Sequence, residues 1–241
     1  MSEDIKCVKI DISMKKEFFM ETKIIELKKT ILEDNDVDAN ILRKELKEKR
    51  ILYVNIMSSP GAGKTSLLKQ TITVLKDKIK MAVMEADIDS DVDTKTILQT
   101  GIPAIQLHTG GMCHLDADMS RQGLKELSSI DIELVFLENV GNLVCPAEFD
   151  TGAIYNIAIL SVPEGDDKPL KYPLMFEVCD VVLINKIDTL PVFDFDINKA
   201  KEAILQRNAQ AHIFPLSALT GEGIGSWTQW LEDKVKDWKE G

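Results

Sequence analysis

Ser58-Ser59-Pro60-Gly61-Ala62-Gly63-Lys64-Thr65 decides how this chain folds. It lies between an apolar run, ILYVNIM at 51–57, and Ser66-Leu67-Leu68-Lys69-Gln70, which starts an amphipathic helical pattern. Strand, glycine-rich turn, Gly-Lys-Thr and helix form the context of a phosphate-binding loop. Gly61 and Gly63 let the backbone curl, so that N–H groups of the stretch Gly61, Ala62, Gly63, Lys64, Thr65 and Ser66 point at phosphate oxygens. The helix start adds partial positive charge there, and Lys64 reaches the outer phosphates. Thr65 can place its hydroxyl on Mg²⁺. Ser58 stands where the usual GxxxxGK[ST] pattern begins with glycine, but the nest depends more on the two turn glycines.

Outward from this loop, short apolar runs alternate with helical patterns. Strands are expected at 51–57, 81–86, 104–107, 133–137, 156–161, 180–184 and 212–216. Helices are expected at 64–77, 92–99, 115–128, 172–178, 197–207 and 224–239. Near-continuous apolar strands separated by helices predict an α/β fold of the P-loop nucleotide-hydrolase type, a mostly parallel sheet with helices on both faces. Right-handed crossovers then put the functional loops at the carboxyl ends of the strands. Residues 1–50 read differently. Phe18, Phe19, Ile24, Ile25, Leu27, Ile31 and Leu32 recur at helical spacing, and a second pattern runs from Val37 to Lys49 with Asp36 or Asp38 as its cap. The expected division is an N-terminal helical extension, 1–50, and a P-loop domain, 51–241.

Composition narrows the class of partner. The chain has 241 residues, 44% hydrophobic and 29% charged, with a net charge of -11. An acidic balance argues against nucleic acid or a membrane surface as partner. No apolar run reaches transmembrane length and the N-terminus lacks a signal-peptide core, so a cytoplasmic protein is expected. Cys7, Cys113, Cys145 and Cys179 do not make a disulfide framework in a chain of this length; they read as free thiols or metal ligands.

Three strand ends carry further chemistry. Asn185-Lys186-Ile187-Asp188 follows the strand at 180–184. The Asp188 carboxylate can accept from the N1–H and 2-amino group of guanine, a donor pair adenine lacks, while Asn185 and Lys186 brace the ring and the phosphate loop. Ser217-Ala218, in a loop with Gly221 and Gly223, is placed to cap the base. Asp87 and Glu138 end two strands close to Thr65, where acidic side chains bind Mg²⁺ directly or through water. Gly141, just beyond, is a candidate hinge. Finally, Cys113-His114 and Cys145-Pro146 lie in two strand-end loops. Two thiolates and an imidazole suit a soft divalent ion, with a partner subunit or water completing the shell. Pro146 predicts an extended backbone at Cys145. Ordinary loop Cys and His residues remain the alternative. Cys179, in FEVCDVVLI, reads as a buried small hydrophobe. His108 and His212 read as strand-end structural residues, although His108 lies close enough in sequence to join Cys113.

Together these stretches resemble the hydrogenase nickel-incorporation GTPases of the HypB family. SSPGAGKT, Cys113-His114-Leu115-Asp116-Ala117, ENVGNLVCPAEFD at 138–150, PEGDDKPLKYP at 163–173 and NKID carry the likeness, which spans roughly residues 50–225. The resemblance implies a homodimeric, Mg²⁺-dependent GTPase that helps deliver Ni²⁺ to the hydrogenase large subunit in concert with a nickel-carrier accessory protein. It implies catalytic and magnesium roles for Lys64, Thr65, Asp87 and Glu138, and base binding by Asn185, Lys186 and Asp188. It further implies an interface site for Ni²⁺ or Zn²⁺ at Cys113, His114 and Cys145, and a Lys168 that reaches the nucleotide of the other subunit. The chain departs from the family where some members carry a Cys- or His-rich metal store near the N-terminus: only Cys7 is present, with no histidine before His108. Urease-type relatives carry Cys-Pro-His where this chain has Cys113-His114, which favours hydrogenase as client. Urease service, a small-molecule phosphotransferase and a metal-binding scaffold with structural nucleotide are the rival readings.

Overall fold

The computed structural model describes residues 27–87 and 92–241. Phe18, Phe19, Ile24, Ile25 and Cys7 lie outside the described residues. A helix, α1 (Leu27–Lys49), leads into β1 (Leu52–Ser58), the phosphate loop and α2 (Lys64–Leu75). Then follow β2 (Met81–Asp87), α3 (Val92–Leu98), β3 (Ala104–His108), α4 (Ala117–Glu126) and β4 (Leu134–Glu138). The second half runs α5 (Cys145–Glu148), β5 (Tyr155–Ser161), α6 (Lys168–Lys171), α7 (Pro173–Glu177), β6 (Val181–Asn185), α8 (Ile197–Arg207), β7 (His212–Pro215) and α9 (Ile224–Glu240). All seven strands pair in parallel, in the order β3-β2-β4-β1-β5-β6-β7. Each begins and ends within one residue of its expected bounds.

Burial follows position in the sheet. Every residue of β1, β4 and β6 is buried, whereas the edge strands β3 and β7 are only partly covered. Alternate strand residues feed two faces, as the pleat requires. Leu52, Val54 and Ile56 of β1 join α2 and α9 on one face. There the indole N–H of Trp227 donates to Thr71 Oγ1 at 3.0 Å, tying the two helices. Tyr53 points to the opposite face, into a cluster with Leu42 and Leu46 of α1, and its hydroxyl donates to Ser120 of α4 at 3.0 Å.

One helical expectation is corrected. The second N-terminal pattern is not a separate helix capped by Asp36 or Asp38; α1 begins at Leu27 and runs unbroken past both aspartates. Its face from Ala39 to Leu46 has tertiary partners, and packing outweighs the local capping preference of aspartate. The helix expected at 172–178 is present as α7, and a short helix that was not expected, α6, precedes it, the two being separated at Tyr172. Pro173 opens α7, and the residue before a proline is disfavoured in helical geometry.

Candidate functional site

The phosphate loop takes its curvature from two left-handed residues, Gly61 at φ 76° and Gly63 at φ 99°. Gly63 is required twice over, since a Cβ there would sit 2.6 Å from Asn185 Nδ2. That close approach is used. Asn185 Nδ2 donates to the carbonyl of Ala62 at 2.9 Å, and Lys186 Nζ donates to that of Gly61 at 2.7 Å. The Oδ1 of Asn185 accepts from the N–H groups of Lys186 and Ala218, at 2.8 and 3.1 Å. Ser217 Oγ donates to Asp188 and accepts from the backbone N–H groups of Leu219 and Thr220. The NKID turn, the Ser217-Ala218 loop and the phosphate loop thus form one network, with the Asp188 carboxylate partly exposed beside it.

A cavity of about 590 Å³ opens against the phosphate loop, lined among others by Lys64, Thr65, Ser66, Glu85, Glu138 and Asn139. Lys64 Nζ donates to Ser58 Oγ at 3.1 Å, so the serine that replaces the usual glycine holds the lysine over the loop. Thr65 Oγ1 donates to Glu138 Oε1 at 3.0 Å, which brings together two of the three expected magnesium-site residues. Hard oxygen donors of this kind fit Mg²⁺. Asp87 ends β2 opposite His108 in the ladder, and its side chain lies outside the described part of the structure.

Sequence reasoning missed Glu85. It pairs in register with Glu138, is 2% exposed, and faces the same cavity. Thr94 Oγ1 on α3 donates to its Oε2 at 2.5 Å. A carboxylate inside the apolar run MAVMEA was the available signal, overshadowed by Asp87 two residues on. Glu164 was missed as well. Its carboxylate accepts from Ser59 Oγ of the phosphate loop and from the N–H and Oγ of Ser161, at 2.8 and 2.7 Å. It thereby ties the loop to the segment carrying Lys168. Lys168 does not line the cavity of its own chain; its ammonium lies 5.1 Å from the centre of the Tyr172 ring.

Beyond Glu138, Asn139 Nδ2 donates to Asn55 at 3.1 Å and Asn55 Nδ2 to Asn156 at 3.0 Å, a buried amide chain crossing β1. Gly141 lies against the phosphate loop, where an added Cβ would sit 3.2 Å from Pro60. The chain then reaches Cys145, which begins α5 rather than standing extended as Pro146 predicted. The missing N–H of proline costs nothing in the first turn of a helix.

The Cys113 and Cys145 side chains meet. The Cys113 thiol beside it, followed by partial burial, pushes the Cys145 thiol above the usual range. Cys113 Sγ lies 3.9 Å from His114 Nδ1. The His114 ring stacks on Phe149 at 3.7 Å between centroids, and burial lowers its pKa, which favours the neutral, ligating form. No three His, Cys, Asp or Glu side chains among the described residues already converge on one metal position. Two soft thiols and a neutral imidazole on one patch nonetheless fit the donor preferences of Ni²⁺ or Zn²⁺. His108 is exposed at the end of β3. Cys179 is buried among apolar neighbours, and burial raises its thiol pKa well above the usual value, as a structural cysteine requires. No described helix is long and apolar enough to cross a membrane.

A family profile described as "CobW/HypB/UreG, nucleotide-binding domain" matches residues 52–215. The hydrogenase maturation factor HypB of Azotobacter vinelandii is 44% identical over 212 residues, covering 88% of this chain and 70% of that protein. Among solved structures, HypB from Helicobacter pylori in complex with nickel aligns with a TM-score of 0.80 at 36% identity, covering 85% of this chain and 96% of that one. HypB from Archaeoglobus fulgidus aligns with a TM-score of 0.79 at 37% identity, covering 85% and 100%.

Proposed function

The chain belongs to the CobW/HypB/UreG family of nucleotide-binding proteins, and from that membership we propose that it is a GTP-hydrolysing metallochaperone that assists nickel insertion into hydrogenase. The observation that carries the guanine assignment is the bracing of the phosphate loop by the base-reading turn. Asn185 and Lys186 hold the carbonyls of Ala62 and Gly61, so Asp188 sits at a fixed offset from Lys64. A purine with a donor pair on its Watson–Crick edge satisfies that carboxylate; adenine leaves it facing a lone pair.

Hydrolysis here needs positioning more than covalent chemistry. The Gly61–Ser66 backbone and Lys64 hold the β- and γ-phosphates, and their positive charge meets the negative charge that develops on the transferred group. Thr65, Glu138 and Asp87 hold Mg²⁺, which when bound neutralises phosphate oxygens. Ser217 keeps Asp188 aimed at the base. Cys113, His114 and Cys145 take Ni²⁺ as cargo, and a second copy of the chain completes the coordination. Exposed Met112 and Val144, each preceding a ligand cysteine, give that face an apolar rim suited to association. Lys168 reaches the nucleotide held by the second copy.

Phosphate release from GTP and from ATP, with and without Mg²⁺, tests the reading. Mg²⁺-dependent turnover of GTP at least about 10-fold above ATP is expected from even one lost charged hydrogen bond of ~1.5 kcal/mol. Equal turnover of the two nucleotides overturns the guanine assignment, and no turnover of either overturns the hydrolase.

A further inference from the structure

The face of α1 that packs on the domain carries Asn35, Ala39, Leu42 and Leu46 at helical spacing. Three of the four are apolar. Asn35 is 8% exposed, in a position where leucine or alanine would continue the stripe. Both ends of its amide are occupied. Oδ1 accepts from the backbone N–H of Ala117 at 2.9 Å, and Nδ2 donates to the carbonyl of Asp150 at 2.9 Å.

These two partners belong to different loops. Ala117 opens α4 three positions after His114, and Leu115 between them is buried. Asp150 lies five positions after Cys145, directly after the Phe149 on which His114 stacks. One planar amide of fixed width thus spans the loop carrying Cys113 and His114 and the loop carrying Cys145. Two turns further along α1, Arg43 fixes the second loop again. Its Nη2 donates to both carboxylate oxygens of Asp150, at 2.6 and 2.8 Å, and its Nε donates to the carbonyl of Ala153 at 3.0 Å. Gly152, at φ 76°, lets the loop approach so closely that an added Cβ would sit 2.7 Å from Leu42.

We propose that Asn35 is a positioning residue for the metal ligands, setting the separation of the two loops that bring Cys113, His114 and Cys145 together. The inference rests on those three residues binding metal, as proposed above. An α1 that only covered the sheet could be served by an apolar residue at 35. An amide bonded to both ligand-bearing loops acts as a spacer. Partners that orient ligands from outside the coordination shell commonly change affinity 10–100-fold when altered.

Co²⁺ and Ni²⁺ titrations of the full chain test this, followed by the thiolate-to-metal charge-transfer and ligand-field absorption. Asn35→Asp keeps the acceptor for Ala117 and sets an oxygen against the Asp150 carbonyl; Asn35→Leu continues the apolar stripe. Each variant is first shown to be folded by circular dichroism and a cooperative melt. Should one variant fail that check, the other decides. The expected result is metal affinity about 10-fold or more below wild type, with an altered ligand-field spectrum in the folded protein. A role in folding alone would lower the melting temperature and leave the spectrum of the folded, metal-bound protein as in wild type; that result overturns the inference. Cys145→Ala separates it from its premise. If wild type and Cys145→Ala bind metal identically, the metal centre itself is refuted and this inference with it.

Discussion

Replacing Asn185 by alanine should separate what this side chain does for the fold from what it does for nucleotide. The amide makes three hydrogen bonds, to the carbonyl of Ala62 and from the N–H groups of Lys186 and Ala218, and the residue is 1% exposed. Three neutral bonds at about 1 kcal/mol each give a loss of about 3 kcal/mol. In a domain of this size 1 kcal/mol moves Tm by roughly 2–4 °C, so the nucleotide-free variant should melt about 6–12 °C lower. The same bonds fix the phosphate loop against the base-reading turn. A nucleotide must then restore that alignment on binding, and about 3 kcal/mol corresponds to roughly a 100-fold loss of GDP affinity. Thermal melts of the nucleotide-free protein and titration with a fluorescent GDP derivative measure the two effects. A lower Tm with GDP affinity unchanged within 3-fold would show that Asn185 serves the fold alone, and would refute the argument that the two halves of the site are preset.

Asp188→Asn retains an oxygen for Ser217 Oγ but trades the charged acceptor for an amide. GTP affinity should fall by at least about 10-fold, since one charged bond contributes ~1.5–3 kcal/mol, while xanthine nucleotide improves; competition between the two nucleotides measures it, and unchanged GTP affinity removes the assignment. Lys64→Ala should abolish phosphate release in a protein that still melts cooperatively, because Lys64 sits over the phosphate loop, donating to Ser58, and neutralises phosphate charge; normal turnover would mean the loop is not catalytic. Glu138 and Cys145 lie on one segment, so nickel titrations with GDP and with a non-hydrolysable GTP analogue should differ by roughly 5–150-fold, and GTP affinity should respond to nickel by the same factor. Identical nickel affinities in both states would leave the two sites independent.

The sheet was legible in the sequence because its strands are short apolar runs bounded by glycine, proline and polar turns, and the phosphate loop fixed which end is functional. The phosphate loop, the NKID turn and the Ser217-Ala218 loop were expected together because each follows a strand, and the structure joins them by hydrogen bonds. What escaped were residues whose meaning depends on contacts distant in the chain. Glu85 faces Glu138 only because β2 and β4 pair in register. Glu164 reaches Ser59 across more than a hundred positions. Asn35 looked like one more polar residue among Glu33, Asp34 and Asp36, and only the docking of α1 shows it buried. The extended backbone expected at Cys145 followed from a preference of pre-proline residues, which a helix start in tertiary contact overrode.

The strand order has a consequence for how such a protein can diversify. The base-reading turn and its supporting loop come from β6 and β7, on one flank of β1; the thiol-bearing loops come from β3 and β4, on the other. On the proposed function, nucleotide recognition and choice of ion therefore draw on separate stretches of chain, on opposite sides of the central strand. On that reading, metal ligands on one flank can be exchanged without touching the NKID turn on the other. Among the described residues, the segment 138–145 joins the two sites, with a carboxylate at its first position and a thiol at its last. On the proposed function, a change of ion at Cys145 must stay compatible with the nucleotide site at Glu138.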